Sequence, residues 1–316
     1  MPFAPSPAAL PERRAGASDP RLLDLFVDDR AAAAMLLCGI PFDEAVIGRK
    51  GARGGPTAIR EALRFVATHD ADADVDLSGL RIHDLGDIAG LPEQDVKAAH
   101  RVVDATMRGA FPTGQPVVVL GGDNSLSFPV VQALAGTVTG PIGVVVLDAH
   151  YDVRAYQGQP TSGTPYRRIL EELDGRVAGR NLAEVGTRPF ANTKALADYA
   201  AAAGMPIHTA GEVHRRGMRK VAAKALRQAG AGTAHIWLSV DIDGLDQSIA
   251  SGCSAPGAGG LTFQEAALLV RTVASDPRCR GMDLVEVAPN LDPSGNTART
   301  AAQLVAEFAA GVRLRS

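Results

Sequence analysis

The sequence predicts an α/β fold in which helices cover both faces of a mostly parallel sheet. Five short apolar runs are continuous rather than alternating, which is typical of strands that are buried on both faces. Amphipathic segments with helical periodicity lie between these runs, and this succession of strand, helix and strand forms right-handed crossovers. No internal repeat, low-complexity tract or linker divides the chain, so we expect one domain over residues 19–316.

The elements follow these patterns in chain order. The predicted strands are 34–40, 116–120, 142–147, 234–240 and 282–288. The predicted helices are 56–67, 93–110, 191–203, 215–229, 263–274 and 298–310. Pro56 suits the start of the first helix, because the N–H that proline lacks has no partner inside the first turn. Residues 1–18 are rich in proline, alanine and arginine without apolar periodicity, so we expect a loose leader there.

Composition and charge exclude several classes of partner. Lys and Arg number 32 and Asp and Glu 35, a net charge of −3, so the chain lacks the basic excess that binds nucleic acid or anionic lipid. No stretch approaches the roughly 20 apolar residues that a membrane span needs, and the first residues lack the order of a signal peptide. Three cysteines are too few for a disulfide framework. We therefore expect a cytoplasmic protein that binds neither nucleic acid nor membrane.

Acidic residues follow two of the predicted strands, where ligands of parallel sheets gather. Asp148, His150 and Asp152 are spaced by two, so an extended chain puts all three on one face, and Asp241 and Asp243 repeat this spacing. Four carboxylates at one edge repel one another unless cations lie between them. Oxygen-rich ligation with one imidazole favours two Mn²⁺ or Mg²⁺ ions over Zn²⁺. The alternative is that the first motif caps a helix or lies on a solvated loop.

These motifs resemble the ureohydrolase family of arginases, agmatinases and formimidoylglutamases. The resemblance rests on Asp-Ala-His-Tyr-Asp at 148–152, Ser-Val-Asp-Ile-Asp at 239–243, Gly-Gly-Asp-Asn-Ser at 121–125 and Gly-Gly-Leu-Thr at 259–262. It implies a three-layer α/β/α fold with a central sheet of eight mostly parallel strands, a homo-oligomer and a binuclear manganese centre. It also implies that Asp148 and Asp241 bridge the two ions, that Asp152 completes the first ion's shell, and that His150 and Asp243 complete the second's.

Asn124 departs from the pattern of the family, whose members usually carry a histidine ligand of the first ion at this position. An amide oxygen is neutral and a poorer donor to Mn²⁺ than imidazole, so we expect Asn124 to bind the first ion more weakly. Some formimidoylglutamase-like members carry the same change. A half-occupied centre and a metal-poor, non-catalytic homologue therefore stay open as alternatives.

The segments after the metal motif resemble the formimidoylglutamase branch. They read Asp-Val-Arg at 152–154, Ser-Gly-Thr-Pro-Tyr-Arg at 162–167 and Val-Gly-Thr-Arg-Pro-Phe-Ala-Asn at 185–192. Arginases and agmatinases carry a histidine, a proton shuttle, at the position of Ser162. Formiminoglutamate has two carboxylates, and Arg154 can bind one of them bidentately while it repels a cationic guanidine. Ser162, Thr164 and Arg188 are further candidate donors, and a surface salt bridge is the alternative for either arginine.

Glu286 lies in the last predicted strand, next to its carboxyl end. Its carboxylate can accept hydrogen bonds from an amidinium nitrogen, and the resemblance implies that it orients the group to be cleaved. The alternative is a buried ion pair with an arginine.

Two cysteines leave a further question open. Cys253 stands in the loop 249–256, where the resemblance leads one to expect an aliphatic residue, and Cys38 ends the first predicted strand. They are either a redox-sensitive pair or inert buried thiols.

The combined hypothesis is hydrolysis of N-formimino-L-glutamate to L-glutamate and formamide, a step of histidine degradation. Hydroxide held between two Mn²⁺ ions attacks the amidine carbon, and Asp152 passes a proton to the leaving amine. Glu286 orients the formimino nitrogen while Arg154 binds the anionic tail. The alternative enzyme is a guanidino hydrolase of the guanidinobutyrase, agmatinase or arginase type, which releases urea.

Overall fold

The computed structural model describes residues 3–5 and 19–315. The strands of this part of the chain are β1 Phe3–Ala4, β2 Met35–Gly39, β3 His69–Asp70, β4 Val75–Asp76, β5 Ile82–Ile88, β6 Val117–Leu120, β7 Ile142–Leu147, β8 Leu182–Thr187, β9 Ile207–Thr209, β10 His235–Asp241 and β11 Cys279–Val285. Its α-helices are α1 Gly55–Ala62, α2 Val96–Met107, α3 Ser127–Thr137, α4 Pro165–Glu172, α5 Lys194–Ala202, α6 Ala210–Arg216, α7 Met218–Ala229, α8 Phe263–Ala274 and α9 Asn296–Arg313.

One large sheet forms the centre of the molecule. Among the described residues it has the order β1-β5-β2-β6-β11-β10-β7-β8-β9, and β3 pairs separately with β4. Eight of its strands are parallel to their neighbours, whereas the two-residue β1 lies antiparallel on the edge. The α/β prediction and the mostly parallel sheet implied by the family resemblance are confirmed.

Helices cover both faces of this sheet, which makes three layers. The buried residues of α1, α6, α7, α8 and α9 pack into one apolar cluster, and those of α2, α3, α4 and α5 pack into a second. Burial on both faces explains why the central strands are continuous apolar runs. None of the described helices is long and apolar enough to cross a bilayer.

The sequence patterns located most of these elements and missed some. Helix α8 and strand β7 have the predicted bounds, and the other four predicted strands are present with one or both ends shifted. Helix α3 was missed because it is buried on most sides and therefore lacks an amphipathic stripe. Strand β5 was missed because its sequence, Ile-His-Asp-Leu-Gly-Asp-Ile, mixes charged and apolar residues. The last predicted strand ends early, at Val285, since Glu286 has a φ of 67°.

Part of the expected leader is ordered against the sheet. Phe3 pairs with Ile88 and Ala4 with Asp87 on β5. Residues 1–2 and 6–18 lie outside the described residues, so the loose leader stays a prediction for them.

Candidate metal centre

The predicted ligands meet where β7 and β10 end side by side. Val240 pairs with Leu147, so the carboxyl ends of the two strands are level. The ligand atoms of Asp148, His150 and Asp243 all lie within 4.8 Å of one another, and so do those of Asp148, Asp152 and Asp241. Asp148 belongs to both groups. The structure thus brings the five residues into two overlapping sites that share a carboxylate.

The acidic side chains of this cluster are buried close together, so bound cations would stabilise their charged forms. Asp148, Asp152, Asp241 and Asp243 are buried, with at most 9% of each exposed. Burial raises the pKa of Asp148 to about 6, and burial together with the neighbouring carboxylates raises the pKa values of Asp152 and Asp241 well above their usual range. Buried, mutually repelling oxygen donors around one imidazole fit divalent metal ions.

His150 bridges two of these carboxylates. Its Nδ1 lies 3.4 Å from Asp148 Oδ1 and 3.3 Å from Asp243 Oδ2. Burial by itself lowers the pKa of His150, but its contacts with Asp148 and Asp243 outweigh burial and raise the pKa to about 11. The imidazole therefore lies where it can ligate an ion together with both carboxylates.

Backbone geometry directs the acidic side chains. Asp148 Oδ1 accepts a hydrogen bond of 2.6 Å from the N–H of His150, and Asp241 Oδ1 accepts one of 2.9 Å from the N–H of Asp243. Asp152 and Glu286 have φ values of 43° and 67°, a left-handed conformation that costs on the order of 1–3 kcal/mol per non-glycine residue. Such conformations persist where surrounding contacts enforce them, and here they occur at the predicted catalytic residues.

Asn124 lies beside the first ion's predicted ligands, but its amide nitrogen faces them. Nδ2 donates hydrogen bonds of 2.7 Å to Asp152 and 3.2 Å to Asp148, while Oδ1 lies 2.9 Å from Ser127 Oγ. The residue is fully buried. The sequence predicts an oxygen ligand at this position, and the structure instead has a hydrogen-bond donor there, because the neighbouring carboxylates accept hydrogen bonds.

A cavity of about 120 Å³ opens above the cluster. It is lined by Ile47, Gly48, His150, Asp152, Arg154, Ser162, Gly163, Asp241, Asp243, Ser254, Ala255 and Glu286. Glu286 Oε1 accepts a hydrogen bond of 2.8 Å from the N–H of Asn124, and Oε2 is buried without a hydrogen-bond partner in the described part of the chain. Burial, followed by the nearby charge of Asp123, raises the pKa of Glu286 well above its usual range. Among the described residues Glu286 forms no ion pair with an arginine, which was the alternative, and one of its carboxylate oxygens is an open acceptor.

The geometry of this centre agrees with comparisons to known proteins. The family model of the arginase family matches residues 33–311. The chain belongs to the arginase family. A formimidoylglutamase of Halobacterium salinarum is 43% identical over 281 residues, which are 88% of this chain and 88% of that protein. The crystal structure of formimidoylglutamase from Bacillus subtilis has a TM-score of 0.87 at 33% identity and covers 96% of both chains. A Trypanosoma cruzi formiminoglutamase solved with Mn²⁺ has a TM-score of 0.87 at 29% identity, over 94% of this chain and 100% of that one.

Two predicted substrate residues of this arginase-family chain lie away from the cavity lining. Thr164 is buried, and its hydroxyl donates a hydrogen bond of 2.7 Å to the carbonyl of Thr161 in the turn before α4. Arg188 donates a hydrogen bond of 3.0 Å to the carbonyl of Ala255. Thr164 therefore closes a turn, and Arg188 contacts the loop that contains Ala255, while its Nε and Nη1 have no hydrogen-bond partner among the described residues. The substrate contacts of both residues stay predictions.

Two loops supply lining residues that the sequence did not identify as site residues. Ile47 and Gly48 come from the segment after β2, and Ser254 and Ala255 from the segment after β10. A Cβ atom on Gly48 would lie 2.5 Å from the carbonyl oxygen of Ser254, so the two loops pack closely because position 48 lacks a side chain.

Cys38 and Cys253, whose pairing the sequence left open, are both buried free thiols. Cys38 packs in one apolar cluster, with its Sγ 3.7 Å from Met107 Sδ, whereas Cys253 packs in the cluster on the other face of the sheet. Burial raises the pKa of Cys253 to about 12 and raises the pKa of Cys38 further. These surroundings favour the interpretation as inert thiols.

His100 supports the segment that carries Asn124. Arg168 Nη1 lies 2.8 Å from His100 Nδ1 and donates to it, which leaves the N–H of His100 on Nε2, 3.0 Å from Ser125 Oγ. Burial and then the charge of Arg168 lower the pKa of His100 to about 3. This histidine is therefore neutral in the folded protein.

The lowered pKa of His100 predicts a pH dependence of stability. Below the ordinary histidine pKa of about 6.5 the unfolded chain binds a proton that the folded chain excludes, so this stability is complete above pH 6.5 and is lost as the pH falls towards 3. We expect His100→Gln to flatten the fall in the free energy of unfolding between pH 6.5 and 4. Urea denaturation of the metal-free protein at several pH values measures it, and equal slopes for both proteins would contradict the assignment.

Proposed function

We propose that this protein hydrolyses N-formimino-L-glutamate to L-glutamate and formamide, with manganese as its cofactor. The observation that carries the proposal is the distribution of charge in the cavity. Its floor is the buried carboxylate cluster with Glu286, and its rim carries the exposed guanidinium of Arg154, which has no ion-pair or hydrogen-bond partner among the described residues. A substrate with a cationic amidinium at one end and carboxylates at the other matches both ends. The relatives named formimidoylglutamase support the same assignment.

Two groups of residues would hold the ions. Asp148, His150 and Asp243 would ligate one ion, and Asp148, Asp152 and Asp241 the other, with Asn124 beside it. Bound divalent ions lower the pKa of water, so that hydroxide becomes available near neutral pH. The positive charge of the ions would also neutralise the negative charge of the buried carboxylates.

Glu286 would orient the group to be cleaved. Its Oε1 is held by the N–H of Asn124, which leaves the unpartnered Oε2 as an acceptor for the formimino nitrogen. A cationic amidinium at this position would also stabilise the buried carboxylate, because opposite charges attract strongly where water is excluded. Addition of hydroxide to the amidine carbon would give a tetrahedral species, and its bond to the glutamate nitrogen would break once that nitrogen is protonated.

Asp152 would transfer a proton from the nucleophile to the leaving amine. Its carboxylate lines the cavity beside the other candidate ligands. It would take the proton that hydroxide loses after its attack and deliver it to the leaving amine, which departs as glutamate. The family's histidine shuttle is therefore dispensable at position 162.

Arg154 and Ser162 would bind the anionic tail. Both line the cavity. The oxygen of Ser162 accepts a hydrogen bond of 3.1 Å from the N–H of Ile47, so its own proton is available to a substrate carboxylate. Arg154 can add a bidentate contact, since a guanidinium matches the geometry of a carboxylate.

The experiment is an assay of purified, Mn²⁺-reconstituted protein against formiminoglutamate, arginine, agmatine and guanidinobutyrate. Formamide and urea are measured separately. We expect formamide from formiminoglutamate and no urea from the three guanidines. Urea from a guanidine would replace this proposal with a guanidino hydrolase, and no product from protein that contains bound Mn²⁺ would favour a non-catalytic homologue.

A further inference from the structure

A buried polar network lies under the metal centre and touches Asn124 from the side opposite the ligands. Asp283 on β11 pairs with Ser239 on β10, and both are fully buried. Asp283 Oδ1 lies 2.7 Å from Ser239 Oγ and 2.8 Å from Ser127 Oγ, and its Oδ2 accepts a hydrogen bond from the indole N–H of Trp237. Ser127 Oγ is in turn 2.9 Å from the Asn124 amide.

Both carboxylate oxygens of Asp283 accept hydrogen bonds, which favours the charged form. Burial raises the pKa of this group to about 6, against the donors Trp237, Ser239 and Ser127, so the carboxyl is ionised at neutral pH. An ionised carboxylate is the strongest hydrogen-bond acceptor in the network. We therefore assign the single protons of Ser127 and Ser239 to Asp283, although Ser127 Oγ also lies 2.9 Å from Asn124 Oδ1 and 3.1 Å from Ser239 Oγ.

The remaining protons of the network decide which amide atom of Asn124 the hydroxyl of Ser127 favours. Tyr166 donates to Ser239, whose oxygen is 3.0 Å from the phenol, because the longer contact from Tyr166 to Asn124 is 3.5 Å. Ser127 has given its proton to Asp283, so it turns a lone pair towards the amide. Such a lone pair favours a donor, the amide nitrogen, at this position, where the structure instead has Oδ1, 2.9 Å from Ser127 Oγ.

The other side of the amide is the first ion's position, between Asp148 and Asp152. Without an ion, these carboxylates attract the amide nitrogen, which is the orientation in the structure. With a cation between them, both sides of the amide favour the reversed orientation, since the cation needs an oxygen and Ser127 needs a donor.

We propose that Asp283 is a positioning residue which, through Ser127, turns the amide oxygen of Asn124 towards the first metal ion. The inference rests on the metal centre of the proposed function. It explains how an asparagine can ligate the first ion at a position where the resemblance leads one to expect histidine. The two orientations of the amide occupy the same space, and the network below favours the one with its oxygen towards the ion.

The test is Asp283→Asn, followed by Mn²⁺ binding. The introduced amide keeps its oxygen on the N–H of Trp237 and turns its nitrogen to the serines, so Ser127 regains its proton for the oxygen of Asn124. We expect the first Mn²⁺ to bind about 10- to 100-fold more weakly, the usual effect of losing an outer partner of a ligand, and the second to be unchanged. Titration followed by the electron paramagnetic resonance signal of free Mn²⁺, with metal analysis after dialysis, gives both affinities.

Two further variants separate positioning from a general structural role. Ser127→Ala removes the same contact, so we expect it also to weaken binding of the first Mn²⁺. In the Asp283→Asn/Ser127→Ala double variant, the affinity for this ion should fall by less than the product of the two single-variant factors. Asp87→Asn is the matched control, because Asp87 is another buried sheet aspartate, bonded at 2.6 Å to Arg60 and remote from the ligands. We expect it to keep both Mn²⁺ affinities.

Wild-type affinities in Asp283→Asn, or equal weakening of both ions, would overturn the proposal. Circular dichroism melting shows whether each variant is folded. The outcome is independent of the substrate: wild-type protein that binds two Mn²⁺ without cleaving formiminoglutamate would refute the proposed function and leave the positioning role standing.

Discussion

Asp148→Ala is expected to abolish binding of both Mn²⁺ ions and to lower kcat/KM by a factor of about 10⁴ or more. Asp148 is the residue common to both candidate sites, so its loss removes a ligand from each ion at once. Loss of metal-assisted activation accounts for an effect on the order of 5 kcal/mol in the barrier.

Metal analysis after dialysis, a formamide assay and thermal melting together check this prediction. Mn²⁺ raises the melting temperature of the wild-type protein, because a ligand that binds the folded state stabilises it, and it should leave that of Asp148→Ala unchanged. Asp104→Ala is the control, since Asp104 pairs with Arg108 on the surface of α2. Full activity of Asp148→Ala would refute the metal mechanism.

Arg154→Ala is expected to raise KM for formiminoglutamate about 10- to 100-fold and to leave both Mn²⁺ affinities unchanged. A hydrogen bond to a charged group contributes about 1.5–3 kcal/mol, which converts to this range. Arg154 is at the rim of the cavity, and it is absent from both groups of ligand atoms, so the metal centre keeps its ligands.

Steady-state kinetics on the Mn²⁺-loaded variants distinguish the binding role from a surface salt bridge. Arg154→Lys should give an intermediate KM, because an ammonium keeps the charge but loses the bidentate geometry. Arg101→Ala, which removes an exposed arginine of α2, should behave like the wild type. An unchanged KM in Arg154→Ala would remove Arg154 from the substrate site.

The sequence by itself predicted the class of fold and named the five residues whose ligand atoms the structure brings together in the candidate metal centre. Continuous apolar runs located the central strands, since burial on both faces leaves no polar side on which to alternate. The spacing by two in Asp148, His150 and Asp152, and again in Asp241 and Asp243, was sufficient because these ligands are local in sequence and sit at strand ends. Glu286 was predicted from its place near the end of an apolar strand, and the structure has it in the cavity lining.

Tertiary structure alone decided the parts of the site that depend on contacts between distant segments. Thr164 and Arg188 carry suitable donors, and only the structure shows that each donates a hydrogen bond to a backbone carbonyl, of Thr161 and Ala255 respectively. The amide of Asn124 contacts Ser127 on α3 and the carboxylates of Asp148 and Asp152 after β7, and no local pattern links the carboxylates to Asn124. Hydrogen bonds depend on distance and direction in space, so the sequence names the groups that can bond and only the fold decides which of them do.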